Sequence, residues 1–148
     1  MAFVVRPARP ADADAVADVH LAARREAMPY LPEVSTESET RDWVREVVLV
    51  RDEAHVAEVD GRVVGFVALA GSLLEHLYVE PTAQGRGIGS ALLALAKELR
   101  PAGFDLWVFQ RNEQARAFYE RRGLCLVELT DGAGNEEREP DARYEWRP

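Results

Sequence analysis

Apolar residues along the chain switch between two spacings, and each switch marks an element. Phe3 to Arg6 is a short β-branched run ended by Pro7 and Pro10, which predicts a first strand and a turn. From Asp12 the spacing becomes helical, with apolar or small residues at Ala13, Val16, Val19, His20, Ala23 and Ala27. Asp12 is the expected N-cap of this helix, and Pro29 and Pro32 close the segment. A second helix is predicted from Glu37 to Val48. Thr36 and Glu39 form a capping-box pattern at its start, and Trp43, Val44, Val47 and Val48 make its buried stripe. Period-two runs follow at Ala54–Val59 and Arg62–Ala70 around Asp60-Gly61, a dipeptide suited to a type I′ hairpin turn. Leu73–Val79 reads as another strand, stopped by Pro81. A turn holding Gly85, Gly87 and Gly89 leads into an amphipathic helix through Ile88, Leu92, Leu95, Ala96 and Leu99. Asp105–Phe109 is strand-like, and residues 112 to 122 read as a helix capped by Asn112 and closed by Gly123. Leu124–Thr130 and Ala142–Trp146 are the last strands, joined by an acidic loop from Asp131 to Asp141.

The order is β-α-α-β-β-β-α-β-α-β-β. It begins with hairpin logic and ends in β-α-β logic, so an α/β chain with a mixed sheet and helices on both faces is expected. No internal repeat or interdomain linker interrupts residues 1 to 148, which read as one domain.

Composition narrows the function. The chain has 148 residues, 47% apolar and 30% charged, and a mean hydropathy of -0.25, which fits a globular protein with a sizeable core. Its 18 basic and 26 acidic residues leave a net charge of -8, which argues against a nucleic-acid partner that needs a basic face. No apolar run approaches the roughly 20 residues of a membrane span. The first residues turn polar too early for a secretory leader, and one cysteine, Cys125, suits a reducing, cytoplasmic setting. Cys125 reads as a small buried residue at a strand start. The charge is also divided: residues 12 to 60 carry 13 acids and 5 bases, residues 84 to 122 carry 7 bases and 4 acids.

That basic half contains Gln84-Gly85-Arg86-Gly87-Ile88-Gly89, between a predicted strand and a predicted helix. Helix-first-turn amides carry about half a positive charge, and glycines let them approach an anion. Two anion-loop types fail on particular residues. A Walker A loop needs lysine before the Ser/Thr, and Gly89-Ser90 lacks it. A dinucleotide fingerprint needs G-x-G-x-x-G and an acidic residue ending the next strand, whereas Asp105 begins its strand.

With Gln84, Gly87 and Gly89 the segment resembles the Gln/Arg-x-x-Gly-x-Gly/Ala signature of the GNAT superfamily of acyl-CoA-dependent N-acyltransferases. The resemblance extends to Leu77-Tyr78-Val79-x-Pro81 before it. After it comes Asn112-x-x-Ala115-x-x-Phe118-Tyr119-Glu120-x-x-Gly123, so about residues 74 to 124 are covered. It implies a central mixed, largely antiparallel sheet of about seven strands, splayed between strands 4 and 5, with about four helices on both faces. It implies, too, acetyl transfer from acetyl-CoA to a primary amine of a small molecule or peptide, by direct attack in a ternary complex. The alternative is a catalytically weak acyl-CoA-binding sensor or interaction module. Self-association is common in such proteins, so a homodimer is compatible with the resemblance.

Carried over by position, backbone groups of Leu77, Tyr78 and Val79 would line the pantetheine arm like an added strand. Amides of Gly85, Arg86, Gly87, Ile88, Gly89 and Ser90 would hold the pyrophosphate, flanked by the Gln84 and Arg86 side chains. Asn112 would contact the cofactor arm, and Tyr119 would lie near the thioester sulfur as proton donor. Glu75 is the candidate base; strict alternation puts it on the face of Leu77 and Val79 and turns His76 to the other face, and a solvent-facing strand glutamate is the alternative. Tyr30, in Met28-Pro29-Tyr30-Leu31-Pro32, is a candidate acceptor contact or a plain loop anchor. Asn135-Glu136-Glu137 either borders the acceptor or is a solvated acidic loop. His20 and His55 have no clustered partners, so no metal site is expected. The acidic N-terminal half, if it lines the acceptor entrance, favours a cationic acceptor.

Overall fold

The computed structural model describes residues 2–148. Its elements follow the predicted order: β1 (Val4–Pro7), α1 (Ala13–Ala27), α2, β2 (Glu53–Val59), β3 (Arg62–Ala70), β4 (Leu73–Val79), α3 (Ile88–Leu99), β5 (Phe104–Phe109), α4 (Glu113–Arg121), β6 (Cys125–Leu129) and β7 (Asp141–Trp146). Helix α2 is composite: Glu37–Trp43 runs without a break into a wider π turn at Val44–Val48 and a last turn at Leu49–Arg51. The strands form a seven-stranded sheet in the order β1-β2-β3-β4-β5-β7-β6, antiparallel except where β4 meets β5.

Local chemistry accounts for most boundaries. Asp60 (φ 51°) and Gly61 (φ +77°) supply the left-handed turn between β2 and β3. Thr36 Oγ1 accepts the Glu39 amide at 3.1 Å while the Glu39 carboxylate accepts the Thr36 amide at 2.9 Å, closing the capping box. Asp12 acts differently from the expected cap. Its carboxylate reaches back to the Arg9 amide at 2.7 Å and takes both Nη atoms of Arg6 at 2.9 Å, because the arginine fork outcompetes the helix amides for it.

Two apolar clusters hold helices to the sheet. On one face α1 and α2 contribute Val16, Ala17, Val19 and Val44 against Val56, Val63 and Phe66. On the other, Ile88, Leu92, Leu93 and Ala96 of α3 meet Val64, Val67, Leu69 and Leu106. Leu93 rather than Leu95 is the fully buried leucine beside Leu92. Truncating a side chain as enclosed as Leu92 costs about 2–5 kcal/mol. Bulges re-aim three strands: between Ala57 and Glu58 against β3, between Ala68 and Leu69 against β4, and between Leu126 and Glu128 on β6. The first puts Val64 and Gly65 in succession under α3, where a Cβ on Gly65 would lie 3.1 Å from the Tyr78 carbonyl and 3.3 Å from Ile88. Cys125 is exposed, not buried as its local pattern suggests, because β6 is the outer strand of the sheet.

Candidate active site

Strands β4 and β5 touch at one register position, Leu73 opposite Asp105, with the Asp105 amide donating to Ser72 O at 2.9 Å. Beyond it they diverge, and β4 from Glu75 to Val79 has no strand on that edge. A cavity of about 860 Å³ fills the wedge, bounded by β4, β5, the start of α3, α4, the end of α1 and the β6–β7 loop. Its size lies within the range of small-molecule and cofactor sites.

One end is built by the glycine turn. Gly85 (φ +79°) and Gly87 (φ +82°) adopt left-handed backbone that costs other residues about 1–2 kcal/mol, and Gly87 caps α3 in this conformation. The turn brings Gln84, Gly85, Gly87, Ile88, Gly89 and Ser90 to the cavity wall. The amides of Ile88, Gly89 and Ser90 fall in the helical first turn, which has no carbonyl of its own helix to accept them. Gln84 adds a contact that sequence reading did not supply: its Nε2 donates to the Val79 carbonyl at 3.0 Å and fixes the end of β4. Arg86 borders a smaller concavity with Asp60, Arg62 and Thr82.

Midway, Leu77, Tyr78 and Val79 of β4 face Asn112, Ala115, Phe118 and Tyr119 across the cavity. Asn112 caps α4, its Oδ1 accepting the Ala115 amide at 3.3 Å. Tyr119 is buried, 7% exposed, and burial together with nearby Tyr78 pushes its phenol well above the ordinary 10. Glu75 is the extra residue of the β4 bulge, since Leu74 opposes Leu69 and His76 opposes Ala68. Simple alternation therefore does not set its direction, yet it reaches the cavity wall. Burial raises its pKa, and Asp52 adds to that against the opposing charge of Arg51. His76 lies on the α1 face, its ring 5.9 Å from that of His20 and 5.1 Å from that of Trp43. Burial lowers His20 to about 4, with Arg24 contributing, and His76 to about 3, with His20 contributing.

The other end is shaped by contacts between segments far apart in sequence. Arg24 of α1 pairs with Glu137 of the β6–β7 loop at 3.0 Å and donates to Pro32 O at 3.1 Å. Glu137 is thus a half-buried anchor, while Gly134 and Asn135 of its loop join Met28 and Trp107 in lining the cavity. Asn135 clasps its own loop, with Oδ1 accepting the Glu139 amide and Nδ2 donating to Glu139 O and Asp141 Oδ2. Tyr30 does not line the cavity. Its ring lies 3.7 Å beneath the guanidinium of Arg111, which is held bidentately by Glu139 at 2.8 Å. Among the described residues no group of three or more His, Cys, Asp or Glu could hold a metal ion, and no helix is long and apolar enough to cross a membrane.

A sheet opened between a parallel strand pair, a left-handed glycine turn feeding helix amides into the gap, and a buried tyrosine beside it form the architecture that the GNAT resemblance implies. Residues 51–123 match a family model described as an acetyltransferase (GNAT) domain. The peptidyl-lysine N-acetyltransferase YiaC of Escherichia coli is 33% identical over 121 residues, covering 72% of this chain and 82% of that protein. Among solved structures, apo YjaB of Escherichia coli superposes with a TM-score of 0.82 at 22% identity, over 99% of this chain and 98% of that one. The PaiA N-acetyltransferase of Thermoplasma acidophilum, solved in complex with coenzyme A, does so with a TM-score of 0.74 at 19% identity, over the full length of both chains. The chain belongs to the GNAT family of acetyl-CoA-dependent N-acetyltransferases.

Proposed function

We propose that this acetyltransferase moves the acetyl group of acetyl-CoA to the side-chain amine of a peptide lysine, by direct attack in a ternary complex. The observation that carries the reading is one continuous cavity lined by Glu75, Tyr119 and the α3 first turn. The named activity of YiaC supports lysine as the acceptor class.

The cavity fits the co-substrate in shape and charge. The turn of Gly85 and Gly87 offers unbonded helix amides to a diphosphate. The unpaired edge of β4 at Leu77 and Val79 suits an extended pantetheine arm. A lysine ammonium has a pKa near 10.4 and must lose a proton before it attacks. Glu75, whose carboxyl titrates above an ordinary glutamate, accepts that proton directly or through one water. The amine nitrogen then bonds to the thioester carbonyl carbon. As the C–S bond breaks, the second nitrogen proton leaves with the thiol, so amide, free thiol and one proton are the products. Tyr119 stays protonated throughout the neutral range because of its raised pKa, and its O–H stabilises negative charge growing on sulfur without itself becoming charged.

The test is release of free thiol from acetyl-CoA with a panel of lysine peptides, polyamines, aminoglycosides and amino acids. Lysine-peptide-dependent thiol release with stoichiometric peptide acetylation is the expected result. Turnover confined to another amine class refutes the acceptor assignment. Tight acetyl-CoA binding without amine-dependent thiol release identifies a binding module instead.

A further inference from the structure

The three tryptophans of the chain have different surroundings. The Trp43 ring meets His76 edge-on, with centres 5.1 Å apart. Trp146 lies 5.6 Å from Phe104, with the Lys97 ammonium 5.2 Å from its ring centre. Trp107 has no such neighbour: among the described residues no aromatic ring or cation covers its indole, and no protein group bonds its Nε1. It is 44% exposed. The covering of the sheet explains this. Leu106 and Val108, on either side of it in β5, belong to the cluster under α3, so alternation turns Trp107 to the α1 face. The apolar cluster beneath α1 and α2 draws its sheet residues from β2, β3 and β4, and the indole on β5 lies outside it. Arg143, opposite Trp107 on β7, is engaged by Asp105 and Glu128 at 2.9 and 3.0 Å.

Register then places this indole relative to the candidate base. Strands β4 and β5 run parallel and meet at Leu73 and Asp105. Two residues further along each strand are Glu75 and Trp107, so the two stand on opposite edges of the wedge just beyond the point where it opens, and both line the cavity. An amine that gives its proton to Glu75 at this narrow end brings the carbon atoms carrying it close to the indole. A lysine nitrogen hangs on four methylenes, a flexible apolar chain that a flat aromatic face accommodates without any polar partner. Ala23, Ala27 and Met28 also line the cavity, which adds to the apolar surface such a chain can bury. Burying one methylene is worth up to about fourfold in affinity.

We propose that Trp107 is a specificity-determining residue of the acceptor site, its indole face holding the methylene stem of the acceptor lysine while the amine nitrogen reaches Glu75. The proposal rests on the lysine reading of the acceptor. A purely structural role for the indole is the competing explanation, and acceptors that differ only in stem length separate the two. Peptides identical except for lysine, ornithine or diaminobutyrate at one position are compared in wild type, Trp107→Ala and Trp107→Phe at saturating acetyl-CoA, as substrates or, where turnover is slow, as competitive inhibitors. Trp107→Ala is expected to lower kcat/KM for the lysine peptide about tenfold, mainly through KM, the scale of one to two methylenes left uncovered. The loss should shrink with each methylene removed, to less than about threefold for diaminobutyrate, and acetyl-CoA affinity should change less than about twofold. Trp107→Phe, which keeps a ring, should recover most of the lysine preference. Equal losses for the three acceptors, a loss carried by kcat alone, or an unchanged lysine-peptide KM in folded Trp107→Ala overturns the proposal. If the alanine variant does not fold, Trp107→Gln, which has no apolar face, must show the same graded loss. Wild type that acetylates other amines but no lysine peptide overturns the lysine reading itself, and this proposal with it.

Discussion

Acid should loosen the α1 face of the sheet before it touches the rest, because two histidines there, one buried and one partly buried, are held uncharged. The His20 ring packs 5.6 Å from Trp43 and 4.9 Å from Tyr78, and His76 lies against Trp43 and near Phe66. His20 Nδ1 is buried without a hydrogen-bond partner, so nothing inside compensates an added proton. Arg24, one turn along α1 from His20, disfavours the charge further, and His20 opposes charging of His76. The unfolded chain binds protons on both histidines near 6.5, the folded one only near 4 and 3. Stability from these groups is complete above about pH 6.5 and is lost as pH falls toward the folded values. Linkage puts the loss between pH 7 and pH 5 at about 2 kcal/mol per histidine, so about 4 kcal/mol for the pair as an upper bound. That is a large share of a typical domain stability of about 5–15 kcal/mol. Asp52 and Glu75 act with opposite sign because burial raises their pKa, so the decisive quantity is a difference between proteins. Urea unfolding at pH 7, 6 and 5 of wild type and of His20→Leu/His76→Phe provides it. The double variant should lose markedly less stability than wild type over this range, whatever its stability at pH 7. Parallel losses in the two proteins refute the assignment of the acid sensitivity to the buried histidines.

Tyr119→Phe should lower kcat at least tenfold, within the range general acid and hydrogen-bond donors supply, and leave coenzyme A affinity nearly unchanged; an unaltered kcat in folded protein removes Tyr119 from the chemistry. Glu75→Gln should cost at least about tenfold at pH 7.5, and the deficit should shrink as pH approaches 10, where the amine is neutral without help. A deficit that is the same at both pH values argues against Glu75 as base. Gly65→Ala should destabilise the fold by about 1–3 kcal/mol, the scale of overpacking, because the new methyl meets a backbone carbonyl and Ile88; chemical denaturation measures it. With a basic lysine peptide, kcat/KM should fall as salt is raised, whereas an uncharged amine should show no such trend, and identical salt profiles exclude steering by the acidic half.

Local rules made much of this legible. Asp60-Gly61, the Thr36–Glu39 box and the Asn112 cap depend on residues within three positions of one another, and each forms as the sequence predicts. The glycine turn was readable because left-handed φ at Gly85 and Gly87 leaves few other residue choices. What escaped depends on partners remote in sequence. Asp12 was assigned to its own helix but is held by Arg6, and Glu137 looked solvated but pairs with Arg24, 113 positions away. Tyr30, read as either an acceptor contact or a loop anchor, lies beneath the guanidinium of Arg111, 81 positions away. Periodicity alone could not place Glu75, because a bulge set by the pairing of β3 with β4 breaks the alternation at that residue. Nor could the pattern of α4 show that Arg122 donates to Ser90, 32 positions earlier on another helix.

The charge division shows how far a sequence count can be taken. Of the acids in residues 12 to 60, Asp14, Asp18 and Glu37 converge on Arg41, Asp12 and Glu58 on Arg6, Asp42 on Arg45, and Glu53 on Arg100. Much of the apparent field is therefore consumed in local pairs, each worth little at an exposed site. Glu26 and Glu33 remain exposed on either side of Met28 in the sequence, and Met28 lines the cavity. In residues 84 to 122 the same accounting runs the other way: Arg100 and Arg111 are neutralised by carboxylates from outside the segment, Glu53 and Glu139, while Arg122 keeps its charge at the cavity wall. A count of charges predicts only that opposite partners exist. Which charges survive pairing decides where those partners bind, and the pairing is set by contacts between segments far apart in sequence.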